Sequence, residues 1–232
     1  MFYFDELNGQ KILRSDKLSK KIGVNAFFTT RGVNIPLTTD FAKRIVSPVQ
    51  THSDHIDIVD ERNEYPDTDG LILTQPDSAI YLRFADCTPL IFYDKAHNIG
   101  AISHAGWKGT AARIGVKTVA KMVLNYSTKP EDIIALIGPA ISICCYEVSE
   151  EVKDKLLSTV KNTEGLFNNR NVDLKKINAR QLEEIGVKNI DICLYCTSCN
   201  NDLFYSYRKE NATKERHFAV LKLENKSDNK TK

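Results

Sequence analysis

Residues 79–109 read AIYLRFADCTPLIFYDKAHNIGAISHAGWKG. Cys87 lies between two short β-rich runs, and His104 directly follows a third run, after which two glycines precede apolar residues at helical spacing. The stretch therefore predicts three successive strands, with Cys87 between two of them and His104 where the last strand turns into a helix. The three predicted strands are Ala79–Phe84, Pro89–Tyr93 and Ile99–Ser103.

The rest of the chain continues this alternation of strands and helices. Asp173 is a predicted N-cap and Gly186 a predicted C-cap of one helix. Further strands are predicted at Leu71–Leu73, Ile133–Ile137, Val187–Leu194 and Phe218–Leu223, and helices at Ala112–Val123, Val152–Val160 and Leu174–Ile185.

Composition favours an ordinary enzyme-sized globular protein. The chain has 232 residues, of which 42% are hydrophobic and 27% are charged, enough to bury a substantial core. We expect a single domain over residues 1–223, followed by a polar and disordered tail over residues 224–232.

Charge and the N-terminal segment argue against several functional classes. The formal net charge is only +2, and no basic block is interleaved with aromatic residues, so we expect no nucleic-acid partner. The first 20 residues mix charged and apolar side chains, unlike a signal peptide or a membrane span. We therefore expect a cytoplasmic protein with no membrane partner and with six reduced cysteines.

Three side chains are candidate metal ligands. His52, Cys87 and His104 each lie where an apolar segment meets turn residues. A single buried cysteine or histidine is usually structural, so the argument depends on their combination. Two imidazoles and one thiolate make three ligands, and a three-ligand zinc site keeps one coordination position open for water or substrate. The combination favours a catalytic zinc site.

The five other cysteines fall into two groups in the sequence, and neither group alone has the spacing of a metal site. Cys193, Cys196 and Cys199 lack the fourth cysteine of an iron–sulfur motif, since position 203 is leucine. Cys193 and Cys196 would also point to opposite faces of a strand. The adjacent pair Cys144–Cys145 has no metal-ligand spacing. We expect both runs to be structural thiols.

Six short motifs together resemble those of the YfiH/YlmD family, also called laccase-domain or polyphenol oxidase proteins and, in some bacteria, peptidoglycan editing factors. The resemblance implies an α+β fold, a layered α/β sandwich with mixed sheets like the catalytic domain of cytotoxic necrotising factor. It also implies a zinc ion bound by His52, Cys87 and His104. The motifs are Gln50–His52, Ala85–Cys87, His104–Gly109, Gly138–Ile141, Cys145–Val148 and Phe204–Arg208.

The resemblance also implies a reaction. The family is associated with cleavage of purine nucleosides by phosphate, with adenosine deamination as a companion activity, so the expected partners are small molecules. Cys87, Asp86 and His104 are the catalytic candidates, and Asp86 or Glu147 could shuttle a proton. Candidate contacts to substrate anions are Arg31, Lys108 and Arg208.

Two departures from the family pattern affect the expected substrate contacts. The segment over residues 32–49 is much shorter than its counterpart in the family. Lys108 stands where the family usually has arginine, which keeps the positive charge but loses the bidentate fork.

Three other functions remain open on sequence alone. A copper-dependent polyphenol oxidase would use the same three ligands with copper, but its usual axial methionine could only be Met1 or Met122. A cysteine hydrolase or amidase acting on a peptidoglycan precursor would use Cys87 as a nucleophile activated by His104. In a binding module the metal would be structural, against which a three-ligand set argues. The sequence allows either a monomer or a homodimer.

Overall fold

Two six-stranded mixed β-sheets form the centre of the computed structural model, which describes residues 1–18, 23–34 and 40–225. The first sheet contains, in spatial order, β1 (Phe2–Leu7), β2 (Gln10–Ser15), β3 (Val24–Thr29), β14 (His217–Leu223), β7 (Ser78–Phe84) and β4 (Arg44–Val46). The second contains β13 (Asn189–Ile192), β10 (Ile133–Ile137), β8 (Thr88–Asp94), β9 (Ile99–Ala105), β6 (Gly70–Leu73) and β5 (Ile56–Ile58). A short hairpin pairs β11 (Phe167–Asn168) with β12 (Asn171–Val172).

The main core lies between the two sheets. Leu82 and Leu221 from the first sheet pack with Ile91 and Ile102 from the second, all fully buried. Gly100 on β9 allows the sheets to approach closely, because a side chain there would collide with Leu221. This contact fixes the position of β9, which carries His104, relative to the first sheet.

Helices cover the outer face of the second sheet. The helices are α1 (Trp107–Ala111), α2 (Ile114–Tyr126), α3 (Glu150–Leu157) and α4 (Leu174–Glu184). Ile114 and Val119 of α2 pack with Leu182 of α4 against Phe92 of the sheet, whereas α3 packs on α1. Among residues 1–18, 23–34 and 40–225, no helix is long and apolar enough to cross a bilayer. The layers confirm the predicted α+β fold with mixed sheets.

Most predicted elements are observed within one or two residues of their predicted ends. The Asp173 side chain caps α4 by accepting a hydrogen bond from the Lys176 backbone N–H, as predicted. The predicted helix through Ala112–Val123 differs, because Arg113 adopts a left-handed conformation with φ of 59° that separates α1 from α2. The predicted tail lies outside the described residues from position 226 onward.

Candidate functional site

The fold brings the three predicted ligands together from separate segments. His52 lies in the loop between β4 and β5, Cys87 connects β7 to β8, and His104 lies in β9. Their potential ligand atoms are all within 4.8 Å of one another. The rings of His52 and His104 meet edge to face, with centroids 4.7 Å apart. The donors converge even though 52 residue positions separate the first from the last, from position 52 to position 104.

Asp69, a residue that sequence reasoning missed, holds two of these donors in place. Its buried carboxylate accepts hydrogen bonds from His104 Nδ1 at 2.7 Å and from the His52 backbone N–H at 3.2 Å. It also accepts the Ser53 backbone N–H at 2.7 Å. Because Nδ1 of His104 is engaged, its Nε2 is the nitrogen available to a metal or to the sulfur. The only sequence signal was an Asp-Gly pair immediately before an apolar strand.

The loop that carries His52 is also fixed from the other side, by Gln50. The Gln50 amide donates to the Arg83 carbonyl at 3.0 Å and accepts the Arg83 backbone N–H at 2.8 Å. Gln50 therefore pairs with the edge of β7 as a further strand would. His52 itself has a φ of 63°, a left-handed conformation that an L-residue rarely adopts without such support.

Cys87 and His104 form an electrostatically coupled pair. Burial acts to raise the pKa of Cys87, but the charge of His104 and hydrogen bonds from His104 and His52 lower this pKa to about 6. Burial acts to lower the pKa of His104, but the Cys87 charge and the hydrogen bond to Asp69 raise it to about 9. Each partner therefore favours the charged form of the other, thiolate beside imidazolium, and such a sulfur can bind a cation or act as a nucleophile.

Gly106 provides the space that the donors need. A Cβ atom at this position would lie 2.9 Å from Cys87 Sγ and 3.2 Å from His52 Cδ2. The glycine that follows the strand of His104 is thus explained by crowding from the other two donors. Its φ of −68° is accessible to any residue, so the requirement is for space and not for backbone freedom.

Asp86 connects the Cys87 segment to two other loops. Its Oδ1 accepts a hydrogen bond from the Thr197 hydroxyl at 2.7 Å, and its Oδ2 accepts the Arg208 backbone N–H at 2.7 Å. Its carbonyl accepts the Ile141 backbone N–H at 3.0 Å. Asp86 has a φ of 83°, so this network stabilises a second left-handed residue beside the donors.

The donors open into a cavity of about 710 Å³, a volume typical of sites for small molecules. Its wall combines aromatic and apolar groups with three arginines. The lining residues are Pro48, Val49, Gln50, His52, Arg83, Ala85, Asp86, Cys87, His104, Tyr146, Tyr207, Arg208 and Arg216.

Of the three basic residues predicted to contact substrate, Arg208 lines this cavity and the other two do not. Arg31 pairs with Glu210 at 2.8 Å, and its Nε donates to the Asn201 carbonyl at 2.8 Å. Lys108 is exposed on α1, and its ammonium lies 5.9 Å from the centre of the Trp107 ring. Substrate contacts by Arg31 and Lys108 stay predictions.

Two arginines that the sequence analysis missed, Arg83 and Arg216, line the cavity together with Arg208. Within the described residues none of the three pairs with a carboxylate. The Arg83 guanidinium donates to the Ser47 hydroxyl. Those of Arg216 and Arg208 donate to the carbonyls of Thr213 and Glu147, respectively. The cavity is therefore lined by three guanidinium groups that form no ion pair with any carboxylate of the described segments. Arg83 lies within a predicted strand and Arg216 outside the six motifs, so no local pattern marked either as a site residue.

Comparisons with known proteins agree on one family. Residues 33–224 match the family model described as multi-copper polyphenol oxidoreductase laccase. A purine nucleoside phosphorylase of Clostridium acetobutylicum is 33% identical over 174 residues, which are 74% of this chain and 74% of that protein.

Two solved structures extend the likeness to the whole fold. YlmD of Geobacillus stearothermophilus superposes with a TM-score of 0.84 at 28% identity, over 96% of this chain and 99% of that one. The hypothetical protein YfiH of Bacillus licheniformis gives 0.82 at 29% identity, over 95% and 99% of the two chains. The predicted family is confirmed, whereas the likeness to cytotoxic necrotising factor stays a prediction.

Proposed function

This chain belongs to the family described as multi-copper polyphenol oxidoreductase laccase, and we propose that within it the chain is a zinc-dependent purine nucleoside phosphorylase. The relative from Clostridium acetobutylicum carries the name purine nucleoside phosphorylase. The observation that carries the proposal is the cavity itself, where three convergent donors meet three arginines that pair with no carboxylate in the part of the chain that the structure describes.

The three donors fit zinc. Two imidazoles and a thiol whose pKa is lowered to about 6 are borderline-soft ligands that zinc prefers. His52, Cys87 and His104 would hold the ion, and Asp69 would orient His104 by accepting its Nδ1–H. When bound to three ligands, zinc supplies an open coordination position that can polarise an oxygen or lower the pKa of water.

The arginines suit phosphate as the second substrate. Phosphorolysis forms a bond between a phosphate oxygen and the anomeric carbon of ribose while the bond to the purine nitrogen breaks. Arg83, Arg208 and Arg216 would hold the phosphate dianion beside the sugar, and their fork of N–H donors matches its oxygens. Holding the phosphate in position lowers the entropic cost of reaction between two bound molecules.

The aromatic part of the wall suits a purine ring. Tyr146 and Tyr207 both line the cavity and offer flat faces against which a base can stack. Arg208 lies over Tyr146, with its guanidinium 5.5 Å from the ring centre, so one residue reaches both the aromatic wall and the basic wall.

We assign Asp86 a positioning role. Both of its carboxylate oxygens accept hydrogen bonds, and one of these bonds fixes the backbone of Arg208. Glu147, the other carboxylate considered as a proton shuttle, pairs with Arg170 and does not line the cavity. Cys87 and His104 act as ligands in this proposal.

Phosphate dependence tests the proposal. Purified protein is incubated with inosine, guanosine or adenosine, and free base and ribose 1-phosphate are measured with and without phosphate. We expect base release only with phosphate, accompanied by equimolar ribose 1-phosphate. Arg216→Gln should raise KM for phosphate about tenfold, the effect of losing one charge-assisted hydrogen bond. Arg180→Gln, which changes a surface arginine on α4, is the matched control. Equal base release in the absence of phosphate would indicate a hydrolase instead.

Adenosine deamination is a companion activity under the same proposal. Water would replace the amino group of adenosine and give inosine and ammonia, which requires an activated water near the purine. Ammonia release from adenosine without phosphate, lost in His52→Ala, is the expected result. We further propose that residues 1–223 act as one cytoplasmic domain, as a monomer or a homodimer.

A cysteine hydrolase or amidase acting on a peptidoglycan precursor is the second candidate, and one observation favours it. His104 lies between Cys87 and Asp69, so the three side chains are arranged like the nucleophile, base and orienting carboxylate of a catalytic triad. Such an enzyme would work without metal. Activity that survives complete removal of zinc by chelator would support this candidate over the phosphorylase.

The family description favours a third candidate, a copper-dependent polyphenol oxidase. Neither methionine lines the cavity: Met1 is 81% exposed, and Met122 lies on the buried face of α2. The donor set therefore lacks the usual axial ligand of a blue-copper centre in the described residues. Copper bound at one equivalent per chain, together with oxidation of phenols, would favour this candidate.

A further inference from the structure

We propose that Cys144, Cys145, Cys196 and Cys199 bind one zinc ion in a closed, structural site, separate from the three donors of the cavity. The four sulfurs lie within 4.8 Å of one another. Cys199 Sγ is 3.5 Å from Cys144 Sγ and 3.4 Å from Cys145 Sγ. Four sulfurs arranged tetrahedrally around zinc at about 2.3 Å lie about 3.8 Å apart. The observed spacing is therefore that of ligands to a single ion.

The site joins two segments that are far apart in sequence. Cys144 and Cys145 lie in the turn that follows β10, and Cys196 and Cys199 lie in the turn that follows β13. An isolated parallel bridge between Ala140 and Cys196 aligns the two segments. Taken separately, the runs were interpreted as structural thiols, because neither has a complete ligand set. The fold combines two ligands from each and gives the four that a closed zinc site requires.

One of the four sulfurs accepts a backbone hydrogen bond, and a second backbone hydrogen bond closes the turn that carries it. The Ser142 backbone N–H donates to Cys196 Sγ at 3.4 Å, and the Asn200 backbone N–H donates to the Cys196 carbonyl at 2.8 Å, which closes the Cys-x-x-Cys turn. An N–H such as that of Ser142 orients a metal-bound thiolate and stabilises its negative charge.

A buried cation lies beside the same turn. Lys175 on α4 is only 4% exposed, and its ammonium donates to the carbonyls of Cys193 and Tyr195 at 2.7 and 3.1 Å. Zinc with four thiolates carries a net charge of −2, so a neighbouring ammonium balances part of that charge. Lys175 thus places a buried positive charge next to the turn that carries Cys196 and Cys199.

The spacing also distinguishes one ion from an iron–sulfur cluster. In a four-iron cluster each cysteine binds a different iron, so the ligand sulfurs lie around the whole cluster and not around a single atom. Four sulfurs within 4.8 Å leave no room for such a cluster. Tetrahedral sulfur ligation without a cluster is typical of structural zinc.

The site is connected to the wall of the cavity. Thr197, between the two cysteines of the turn, donates to Asp86, which adjoins Cys87. Tyr146, next to Cys145, lines the cavity. Zinc at the four cysteines would therefore hold the segments that position Asp86 and Tyr146 in the cavity wall. The proposal does not depend on which reaction the cavity catalyses.

Metal analysis of the full-length protein tests this site independently of the first. The double variant His52→Ala/His104→Ala removes two donors of the cavity and should retain one zinc per chain. X-ray absorption of that zinc should show four sulfur neighbours at about 2.3 Å. Cys196→Ser/Cys199→Ser in the same background should lose it. Cys193→Ala, which removes the core thiol three positions before Cys196, is the matched control and should keep it.

A measurement on unmodified protein covers the case in which the cysteine variants do not fold. Cys144 and Cys199 are exposed, so as free thiols they would react quickly with iodoacetamide. With zinc bound, we expect slow labelling of both until a chelator is added. The proposal is overturned if the His52→Ala/His104→Ala protein contains no zinc or contains iron instead. It is also overturned if Cys144 and Cys199 are labelled quickly before any chelator is added. Absence of nucleoside cleavage leaves it unchanged.

Discussion

Asp69→Asn is expected to weaken the three-donor site without changing any donor. The carboxylate accepts five hydrogen bonds, from His104 Nδ1, from the backbone N–H groups of Thr51, His52 and Ser53, and from the Ser53 hydroxyl. An amide of the same shape keeps one acceptor oxygen and replaces the other with an NH₂ group. That group would face donors, so at least one buried hydrogen bond is lost and one contact becomes repulsive.

The pKa of Asp69 gives the magnitude. Burial acts to raise this pKa, but the hydrogen bond and charge of His104 and the backbone N–H groups lower it from 3.8 to about 2. This lowering of the pKa of Asp69 corresponds to about 2 kcal/mol of stabilisation of the charged form, present above pH 4 and lost as the pH falls towards 2. At pH 7 we expect Asp69→Asn to lower the free energy of unfolding by about 2 kcal/mol.

The effect on the metal is separate. Loss of an orienting carboxylate costs about 10- to 100-fold in metal affinity, so zinc should pass to a competing chelator at a correspondingly lower chelator concentration. Urea unfolding and chelator competition measure the two effects. Asp67→Asn is the matched control, because Asp67 contacts Thr51 and Ser53 of the same loop but not His104. Wild-type zinc affinity in a folded Asp69→Asn protein would refute the reasoning.

Three further predictions concern single residues of the site and the core. Cys87 should be alkylated slowly by iodoacetamide in zinc-bound protein and much faster after chelation; fast labelling regardless of chelator would favour the cysteine hydrolase. Gly106→Ala should fold normally but bind zinc weakly, because its methyl group would lie 2.9 Å from Cys87 Sγ; chelator competition measures this, and unchanged affinity would contradict the crowding argument. Burial lowers the pKa of His217 to about 3, and among the described residues neither ring nitrogen has a hydrogen-bond partner that would offset this effect. Below pH 6.5 the unfolded chain therefore binds a proton that the folded chain does not, and stability falls by about 1.4 kcal/mol per pH unit. His217→Leu should lack this slope and gain about 2 kcal/mol relative to wild type between pH 6.5 and pH 5, measured by urea unfolding at each pH.

The central strands could be predicted from sequence because they are buried on both faces. Ile133–Ile137 was predicted with the observed ends, and β7, β8 and β9 differ from their predicted ends by at most two residues. Such apolar runs bounded by turns carry their own signal. The N-terminal hairpin was missed although Asn8 and Gly9, with φ of 52° and 75°, form the turn that this residue pair favours. Charged residues along its strands hid the pattern, because one face of this edge hairpin is exposed to solvent.

The donors of the candidate site were predictable, and their surroundings were not. His52, Cys87 and His104 lie in short motifs, whereas Asp69 and Arg216 become neighbours of the donors only through the pairing of strands. The four-cysteine cluster shows the same limit, since 51 positions separate Cys145 from Cys196. Local spacing reveals a ligand set that lies within one segment. A ligand set divided between two distant segments is revealed only by the fold.

The position of β14 has a consequence for synthesis of the protein. This strand, His217–Leu223, pairs with β3 on one side and β7 on the other, in the middle of the first sheet. A nascent chain that has not yet released these residues from the ribosome carries two unpaired strand edges where the sheet should be continuous. Folding of the first sheet therefore awaits release of β14 from the ribosome, because until then the facing edges of β3 and β7 have no strand between them.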